Sequence, residues 1–375
     1  MSSTPQGKTL NARVHQDMPY SLPVRLCQEA RYVIGGKTRK MGGHRRPFHK
    51  CINRDRIFML IFRLLTIRAL LTALCGLWLC ACSNSDSVET RVAKAHKRYD
   101  APAIWKVSDQ NSTVYLFGSV HFLPDDSDWR RRDFEVSFDE VGTVFFETPD
   151  DTKAQLDISV LQRELGVYPA GDRLREHLNS AQLNRLEAAA HNANIPVEAL
   201  DSFKPWMVAD MLTVAAAVDA GLKPENSADE VIKTLARKRQ KRVVFLDEAD
   251  TYIKSVTGLP EWVQMKMLDE ALRGNDKIAG EMQTLNGAWI VGNIPYVREN
   301  FIGPAAEKSP ELFKVLFSDR SAKWAKTLDT FLQGDSNAMV VVGVGHMIGD
   351  TGLVYRLREL GYDVERVRRF DLPNE

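Results

Sequence analysis

Short apolar runs bounded by polar turns predict the β-strands of this chain. Six runs share the pattern, and they cover residues 103–107, 113–117, 143–147, 242–246, 338–342 and 363–367. The polar stretch 109–112 between the first two predicts a hairpin. The third run ends in an acidic residue, Glu147.

Between the third and fifth runs, apolar residues recur at three- and four-residue spacing, which predicts helices. The predicted helices cover residues 180–192, 204–220, 227–240, 260–292 and 310–332, and a further one covers 352–360. Strand-rich ends around a helical middle predict an α/β fold. We expect a mixed central β-sheet from the N- and C-terminal parts, with a large helical insertion at about residues 150–335. Trp262, Trp289 and Trp324 occupy helical positions and are expected in the core.

An uncharged apolar run over residues 69–81 precedes this body, and Arg63 and Arg68 stand just before it. A charged start followed by about 7–15 apolar residues is typical of a secretion signal. A membrane-spanning helix needs about 20 apolar residues, so a span over residues 60–81 is the alternative if both arginines reach the interface.

Residues 79–82, Leu-Cys-Ala-Cys, resemble the lipid-attachment box of bacterial lipoproteins. Residues 59–82 are therefore predicted to be a lipoprotein signal peptide with Cys82 as the lipidated residue, and residues 83–100 a polar tether to the body, residues 101–375. The acyl chains would attach the protein to a membrane. These features predict a location in the cell envelope, facing the periplasm.

Charge is distributed unevenly, although the net charge is only +1. Residues 1–58 carry a net charge of +9 and the remainder −8. Residues 1–58 are predicted to be a disordered basic leader or, because Met59 is a more usual start for a signal peptide, a mis-assigned start. The acidic body gives no indication of nucleic-acid binding.

Cysteine usage limits the chemistry of the body. All five cysteines lie within the first 82 residues, so residues 83–375 can form neither a disulfide nor a thiolate metal site.

The pattern Gly-x-x-His occurs twice, at residues 118–121 and 343–346, each directly after a predicted strand. Glycine allows the chain to leave the strand in a tight bend. Ligands of open α/β sheets collect outside the carboxyl ends of the strands. His121, Glu147 and His346 all follow such ends, so we expect them to meet if their strands are neighbours.

Two imidazoles and a carboxylate suit a divalent Mn, Co, Fe or Zn ion. Metal-bound water can have a pKa of about 7, which would supply a hydroxide nucleophile. Asp247 and Glu248 follow another strand and are possible further ligands, although exposed acids that open a helix are the alternative. Glu147 could instead cap the following turn or pair with an arginine, and the histidines could be ordinary turn residues. Arg320 could form a salt bridge or clamp an oxyanion.

Several segments together resemble the TraB/PrgY/GumN/TIKI family. The segments are Ile-Trp-Lys-Val at 104–107, Tyr-Leu-Phe-Gly-Ser-Val-His at 115–121, Phe-Phe-Glu-Thr at 145–148, Gly-Asp-Arg-Leu at 171–174, Lys-Pro-Trp-Met at 204–207, Arg320, and Val-Val-Gly-Val-Gly-His at 341–346. The middle strand departs from the family pattern, since Leu-Asp-Glu-Ala at 246–249 replaces the usual Leu-Glu-Thr.

The resemblance implies a fold shared with erythromycin-esterase-like and ChaN-like haem-associated proteins. For the animal branch it implies metal-dependent proteolysis with the two histidines and the glutamate as site residues. We therefore expect a divalent-metal-dependent hydrolase, with a peptidase as one candidate and a peptide or small molecule as the substrate. His121, Glu147 and His346 would bind metal, with Glu147 also a candidate base, and Arg320 would steady negative charge. The alternative is a non-catalytic periplasmic lipoprotein that binds haem, metal or a peptide.

Overall fold

A computed structural model of the protein describes residues 101–367, which form a six-stranded mixed β-sheet packed with helices. The α/β fold class predicted from the sequence is confirmed. The strands are β1 (Ile104–Ser108), β2 (Thr113–Ser119), β3 (Thr143–Phe146), β4 (Arg242–Phe245), β5 (Ala338–Gly343) and β6 (Val364–Arg366).

The strand order across the sheet is β4-β3-β5-β2-β1-β6. Strands β1 and β2 form the predicted hairpin, and β6 pairs antiparallel with β1. The pairings of β2 with β5, β5 with β3 and β3 with β4 are all parallel. Four neighbouring strands therefore end at one edge of the sheet, where the loops with the candidate residues begin.

Helices occupy most of the chain between the strands. Their bounds are α1 (Arg132–Asp139), α2 (Thr152–Leu165), α3 (Ser180–Asn192), α4 (Val197–Leu200), α5 (Pro205–Asp219), α6 (Ala228–Lys238), α7 (Thr251–Thr257), α8 (Glu261–Ala271), α9 (Asn275–Ile290), α10 (Ile294–Val297), α11 (Gly303–Lys308), α12 (Pro310–Phe313), α13 (Asp319–Leu332) and α14 (Leu353–Glu359). Two π-helical turns, Arg298–Ile302 and Lys314–Ser318, follow α10 and α12. The middle of the chain also contributes β4, at the strand predicted over residues 242–246.

Helix α5 runs through the core, and twelve of its fifteen residues are buried. It begins at Pro205, whose missing N–H would have no partner in the first helical turn in any case. Trp206 follows and is fully buried. A helix that is apolar on every side is stable only when protein surrounds it, so α5 connects the packing of the helices around it.

Trp289 and Trp324 are buried as predicted, but the prediction for Trp262 is wrong, because 49% of that residue is exposed. The buried face of α8 is formed by Val263 and Met267, which are four residues apart. Trp262 precedes the first of these and so points away from that face.

The lipidated Cys82, the signal peptide 59–82, the tether 83–100 and the leader 1–58 lie outside the described residues. Across residues 101–367, no helix combines the length and the apolar character needed to cross a membrane.

Candidate active site

The loops after the parallel strands bring together side chains that lie far apart in the sequence. His121 and His346 follow β2 and β5, while Glu147 and Asp247 follow β3 and β4. Arg320 reaches the same place from the first turn of α13. The expectation that these strands are neighbours is therefore met, and all five side chains belong to one cluster.

The guanidinium of Arg320 lies at the centre of this cluster. Its Nη2 donates to Glu147 Oε2 at 2.6 Å, and its Nε donates to Asp247 Oδ2 at 2.8 Å. The guanidinium carbon also lies 4.6 Å from the centroid of the Trp324 ring. Because the arginine and both carboxylates are buried, each charge depends on the others for compensation.

Glu147 is held in its ionised form. Burial alone would raise the pKa of Glu147, but the attraction of Arg320, together with smaller contributions from the two histidines and the Gly343 N–H, outweighs burial and lowers this pKa to about 2. The second oxygen, Oε1, accepts the Gly343 backbone N–H at 2.7 Å. Both carboxylate oxygens are therefore engaged by the protein, and they fix the start of the loop that carries His346.

Asp247 is buried, so the alternative that it is an exposed acid opening a helix is wrong. In addition to Arg320, it accepts a hydrogen bond from Lys323 Nζ at 2.8 Å. Glu248, the next residue, is exposed and does not belong to the cluster. The shortened middle-strand carboxylate therefore reaches Arg320 rather than the space above the sheet.

His346 is a neutral imidazole with both nitrogens occupied. Its Nε2 lies 3.3 Å from Arg320 Nη1, which can only donate, so Nε2 accepts. Its Nδ1 lies 3.2 Å from Ser321 Oγ and is left to donate to it. Burial lowers the pKa of His346 to about 3. The rings of Phe317 and Trp324 enclose it at centroid distances of 4.9 and 4.5 Å.

His121 has a different environment. Its Nδ1 lies 3.1 Å from Asp229 Oδ1, in the first turn of α6. The Ala228 N–H donates to the Val120 carbonyl at 3.1 Å, which fixes the start of this helix beside the histidine. Burial would lower the pKa of His121, but the attraction of Asp229 and the hydrogen bond to it outweigh burial, so the pKa is raised.

Sequence reasoning missed Asp229. An acidic residue in the first turn of a helix is common, because it complements the helix dipole, so the sequence alone does not distinguish it. Only the contact between α6 and the loop after β2 shows that this carboxylate orients a histidine.

The glycines of the two Gly-x-x-His segments are required by close packing. A Cβ on Gly118 would meet Val344 Cα at 3.0 Å. A Cβ on Gly343 would meet His121 Nε2 at 3.0 Å and Glu147 Oε1 at 3.4 Å. His121 and Glu147 therefore face each other across Gly343, and any larger residue there would fill the space between them.

A pocket of about 610 Å³, including its part open to solvent, lies over Gly343. Both His121 and His346 line it, so the two imidazoles share one cavity. Glu147 and Arg320 are not among the residues that line the pocket, and they lie behind its wall. Arg320 could steady negative charge on a substrate only with its guanidinium in the pocket. In this structure the guanidinium contacts Glu147, Asp247 and His346 instead.

Comparison with known proteins finds the same family that the sequence motifs resemble. The model of the TraB/PrgY/gumN family matches residues 103–366. This chain belongs to that family. Two relatives, each called uncharacterized protein YbaP, come from Escherichia coli (strain K12) and Shigella flexneri; each is 26% identical over 260 residues, which cover 69% of this chain and 93% of the relative. No solved structure matches the chain.

The TraB/PrgY/gumN resemblance implied a divalent metal on His121, Glu147 and His346, and the donor atoms test that expectation. His346 Nε2 faces Arg320 Nη1, whose hydrogen occupies the one lone pair that a metal would need, and Glu147 Oε2 is directed at Arg320 Nη2. Between residues 101 and 367, no group of three His, Cys, Asp or Glu side chains is placed to hold a metal ion. As arranged here, the three residues do not fit a three-ligand centre.

Proposed function

We propose that this chain is a hydrolase that cleaves a peptide bond, or another amide or ester bond, in the pocket lined by His121 and His346. The observation that supports this most strongly is the pairing of His121 with Asp229. The carboxylate holds Nδ1, and Nε2 lies over Gly343, which also lines the pocket. An imidazole oriented in this way is suited to general acid–base catalysis.

The proposed step uses water as the nucleophile. The water oxygen bonds to the carbonyl carbon of the substrate while one water proton moves to His121 Nε2. The same nitrogen then gives that proton to the departing nitrogen or oxygen atom as the bond between this atom and the carbonyl carbon breaks. Nδ1–H remains bonded to Asp229, whose charge stabilises the imidazolium. The pKa of His121 is raised, which makes this imidazole a stronger base than an ordinary histidine.

The other predicted residues act as positioning groups in this proposal. Glu147 fixes the Gly343 backbone, and Arg320 holds Glu147 and His346. His346 stays neutral and forms part of the pocket wall. Catalysis is sensitive to errors of about 1 Å in such positions, so loss of these groups would slow the reaction without removing the base.

Substitutions at the base test the proposal. His121→Asn, Asp229→Asn and the exposed control His191→Asn are compared in the full chain on fluorogenic peptides and p-nitrophenyl esters. We expect His121→Asn to lower the rate about 10²–10⁴-fold and Asp229→Asn to lower it too, with normal thermal unfolding. The proposal would be refuted if the wild type hydrolysed these substrates and His121→Asn hydrolysed them as fast as the His191→Asn control.

A divalent metal at His121, Glu147 and His346 is the alternative source of the nucleophile, predicted from the sequence and the resemblance. Chelation followed by addition of Mn, Co, Fe or Zn separates the two. Activity that is lost on chelation and restored by one metal supports the metal and contradicts the water–imidazole step. Activity unchanged by chelation supports His121 alone. Ligand binding with no hydrolysis under any of these conditions supports the non-catalytic alternative, a haem-, metal- or peptide-binding protein.

Export and lipid attachment are a separate part of the proposal, supported by the sequence of residues 59–82. Cleavage before Cys82 and acylation of that residue would leave the body attached to a membrane. Intact mass of the mature protein should show a lipidated N-terminus at Cys82. Cys82→Ala should move the protein from the membrane fraction to the soluble fraction, and a mature protein that keeps residues 1–81 contradicts this part.

A further inference from the structure

The pocket is predominantly apolar, which restricts what can bind in it. Six of its lining residues carry large apolar side chains: Phe122, Met282, Leu285, Phe301, Ile302 and Phe317. All fourteen lining residues belong to the described part of the chain, and none is Asp, Glu, Lys or Arg. A charged group entering this pocket would lose its hydration. The lining offers a cation no carboxylate and offers an anion only the imidazolium form of His121, so uncharged groups are favoured while His121 is neutral.

Both π-helical turns contribute to this apolar wall. Arg298–Ile302 supplies Phe301 and Ile302, and Lys314–Ser318 supplies Phe317. Such turns are rare, and they occur frequently at functional sites. The wall is tightly packed, because a Cβ on Gly345 would collide with the Phe317 ring.

One hydroxyl group in this pocket has no protein partner. Ser119, the last residue of β2, is 1% exposed and lines the pocket, and within residues 101–367 its Oγ has no hydrogen-bond partner. A buried, unpaired polar group destabilises the protein, and a ligand that pairs with it would remove that cost.

The position of Ser119 relates it to His121. Ser119 pairs in register with Gly343 on β5, so its side chain leaves the same face of the sheet as the space above that glycine. His121 Nε2 lies over the same glycine. A ligand atom near Ser119 Oγ would therefore be close to the proposed base.

We propose that the pocket binds an uncharged, apolar acyl group and that Ser119 Oγ–H donates a hydrogen bond to its carbonyl oxygen. This inference rests on the proposed hydrolase function and names its substrate class. The acyl chain lies among the apolar side chains, and the carbonyl carbon lies beside His121. Substrates are then apolar acyl amides or esters, including peptides with an apolar residue before the cleaved bond.

Binding of small probes tests this without requiring turnover. Phenylacetamide, phenylacetate and acetamide are titrated into the full wild-type chain and followed by ligand-observed NMR. We expect phenylacetamide to bind, and the charged and the non-aromatic probes to bind at least about tenfold more weakly. No binding of phenylacetamide, or equal binding of phenylacetate, overturns the inference. Hydrolysis of polar acyl substrates without phenylacetamide binding refutes only this inference, whereas phenylacetamide binding in a chain that hydrolyses no acyl substrate refutes only the hydrolase.

Two variants locate the bound probe. Ser119→Ala should weaken phenylacetamide binding about 3–10-fold, the loss of one neutral hydrogen bond. Leu285→Trp should abolish it by filling the pocket from α9, whereas Leu156→Trp, at an exposed position on α2, should leave it unchanged. Affinity that stays at the wild-type value in Ser119→Ala overturns the role of that hydroxyl, and affinity unchanged in Leu285→Trp overturns the location.

Discussion

Replacing Arg320 by methionine should destabilise the protein, and more strongly at pH 7 than at pH 5. Methionine keeps much of the length and apolar character of the side chain but removes the cation between Glu147 and Asp247. Asp247 keeps its hydrogen bond from Lys323, whereas Glu147 keeps only the backbone N–H of Gly343 among the bonds described above. The variant therefore contains a buried carboxylate without its main counter-charge.

The pKa of Glu147 gives the size of the effect. Its value of about 2, against an ordinary 4.5, corresponds to about 3 kcal/mol, since a difference of one in pKa is about 1.4 kcal/mol. In the native chain this stabilisation is present above pH 4.5 and is lost as the pH falls towards 2. Without Arg320, burial is the largest remaining influence on the pKa of Glu147, so we expect this pKa to rise and the folded variant to lose stability as the pH rises above 4.5. Leaving one charge of a buried pair uncompensated costs about 3–5 kcal/mol at neutral pH.

Urea unfolding of both proteins at pH 5 and pH 7, followed by tryptophan fluorescence, measures this difference. We expect the unfolding free energy of Arg320→Met to lie several kcal/mol below that of the wild type at pH 7, and the difference to be smaller at pH 5. Titratable groups common to both proteins contribute equally and cancel from this difference. Arg185→Met removes a half-exposed ion pair with Asp269 and serves as the control, with a small gap at both pH values. A gap for Arg320→Met that is below about 1 kcal/mol, or equal at the two pH values, would contradict the reasoning.

Three further predictions concern other parts of the molecule. Burial raises the pKa of Asp210 well above its usual value, so the contribution of Asp210 to stability is full below pH 3.8 and declines as the pH rises. The unfolding free energy of Asp210→Asn should therefore increase relative to that of the native chain between pH 4 and pH 8. A difference that stays constant over this range would contradict the prediction. Gly343→Ala should lower hydrolysis at least about tenfold, because the new methyl group meets an imidazole nitrogen at 3.0 Å, while Gly287→Ala, which meets nothing within 4 Å, should not. Trp206→Ala should cost about 3–5 kcal/mol in urea unfolding and Trp262→Ala less than about 1, since only the first is buried.

Much of the fold followed from the periodicity of apolar residues. The continuous apolar run before Gly343 predicted a buried strand, and it became β5, which has parallel neighbours on both sides. Placing His121, Glu147 and His346 after strand ends was enough to expect them at one edge of the sheet. The prediction depended on those strands being neighbours, which periodicity does not determine and the pairing of β3, β5 and β2 supplies.

The remaining features depend on contacts across long sequence distances. Asp229 lies 108 residues from the histidine it orients, and nothing in its local sequence distinguishes it from a helix-capping acid. Arg320 was expected near the site, but its position between two carboxylates depends on how α13 packs against the ends of β3 and β4. The exposure of Trp262 was not predicted, because a position within a helix does not by itself show which side of the helix is buried. The buried side of α8 includes the adjacent residue Val263, so Trp262 lies on the exposed side.

The two Gly-x-x-His segments look equivalent in sequence, but their histidines have opposite environments. His121 faces a carboxylate, which raises its pKa, whereas His346 lies between two aromatic rings and beside a guanidinium, with its pKa lowered to about 3. A metal site built from both would require a ring nitrogen with a free lone pair on each histidine. The structure offers one imidazole paired with Asp229 beside the pocket and one whose nitrogens both have protein partners. This asymmetry favours a proton-transfer role for His121 and a supporting role for His346.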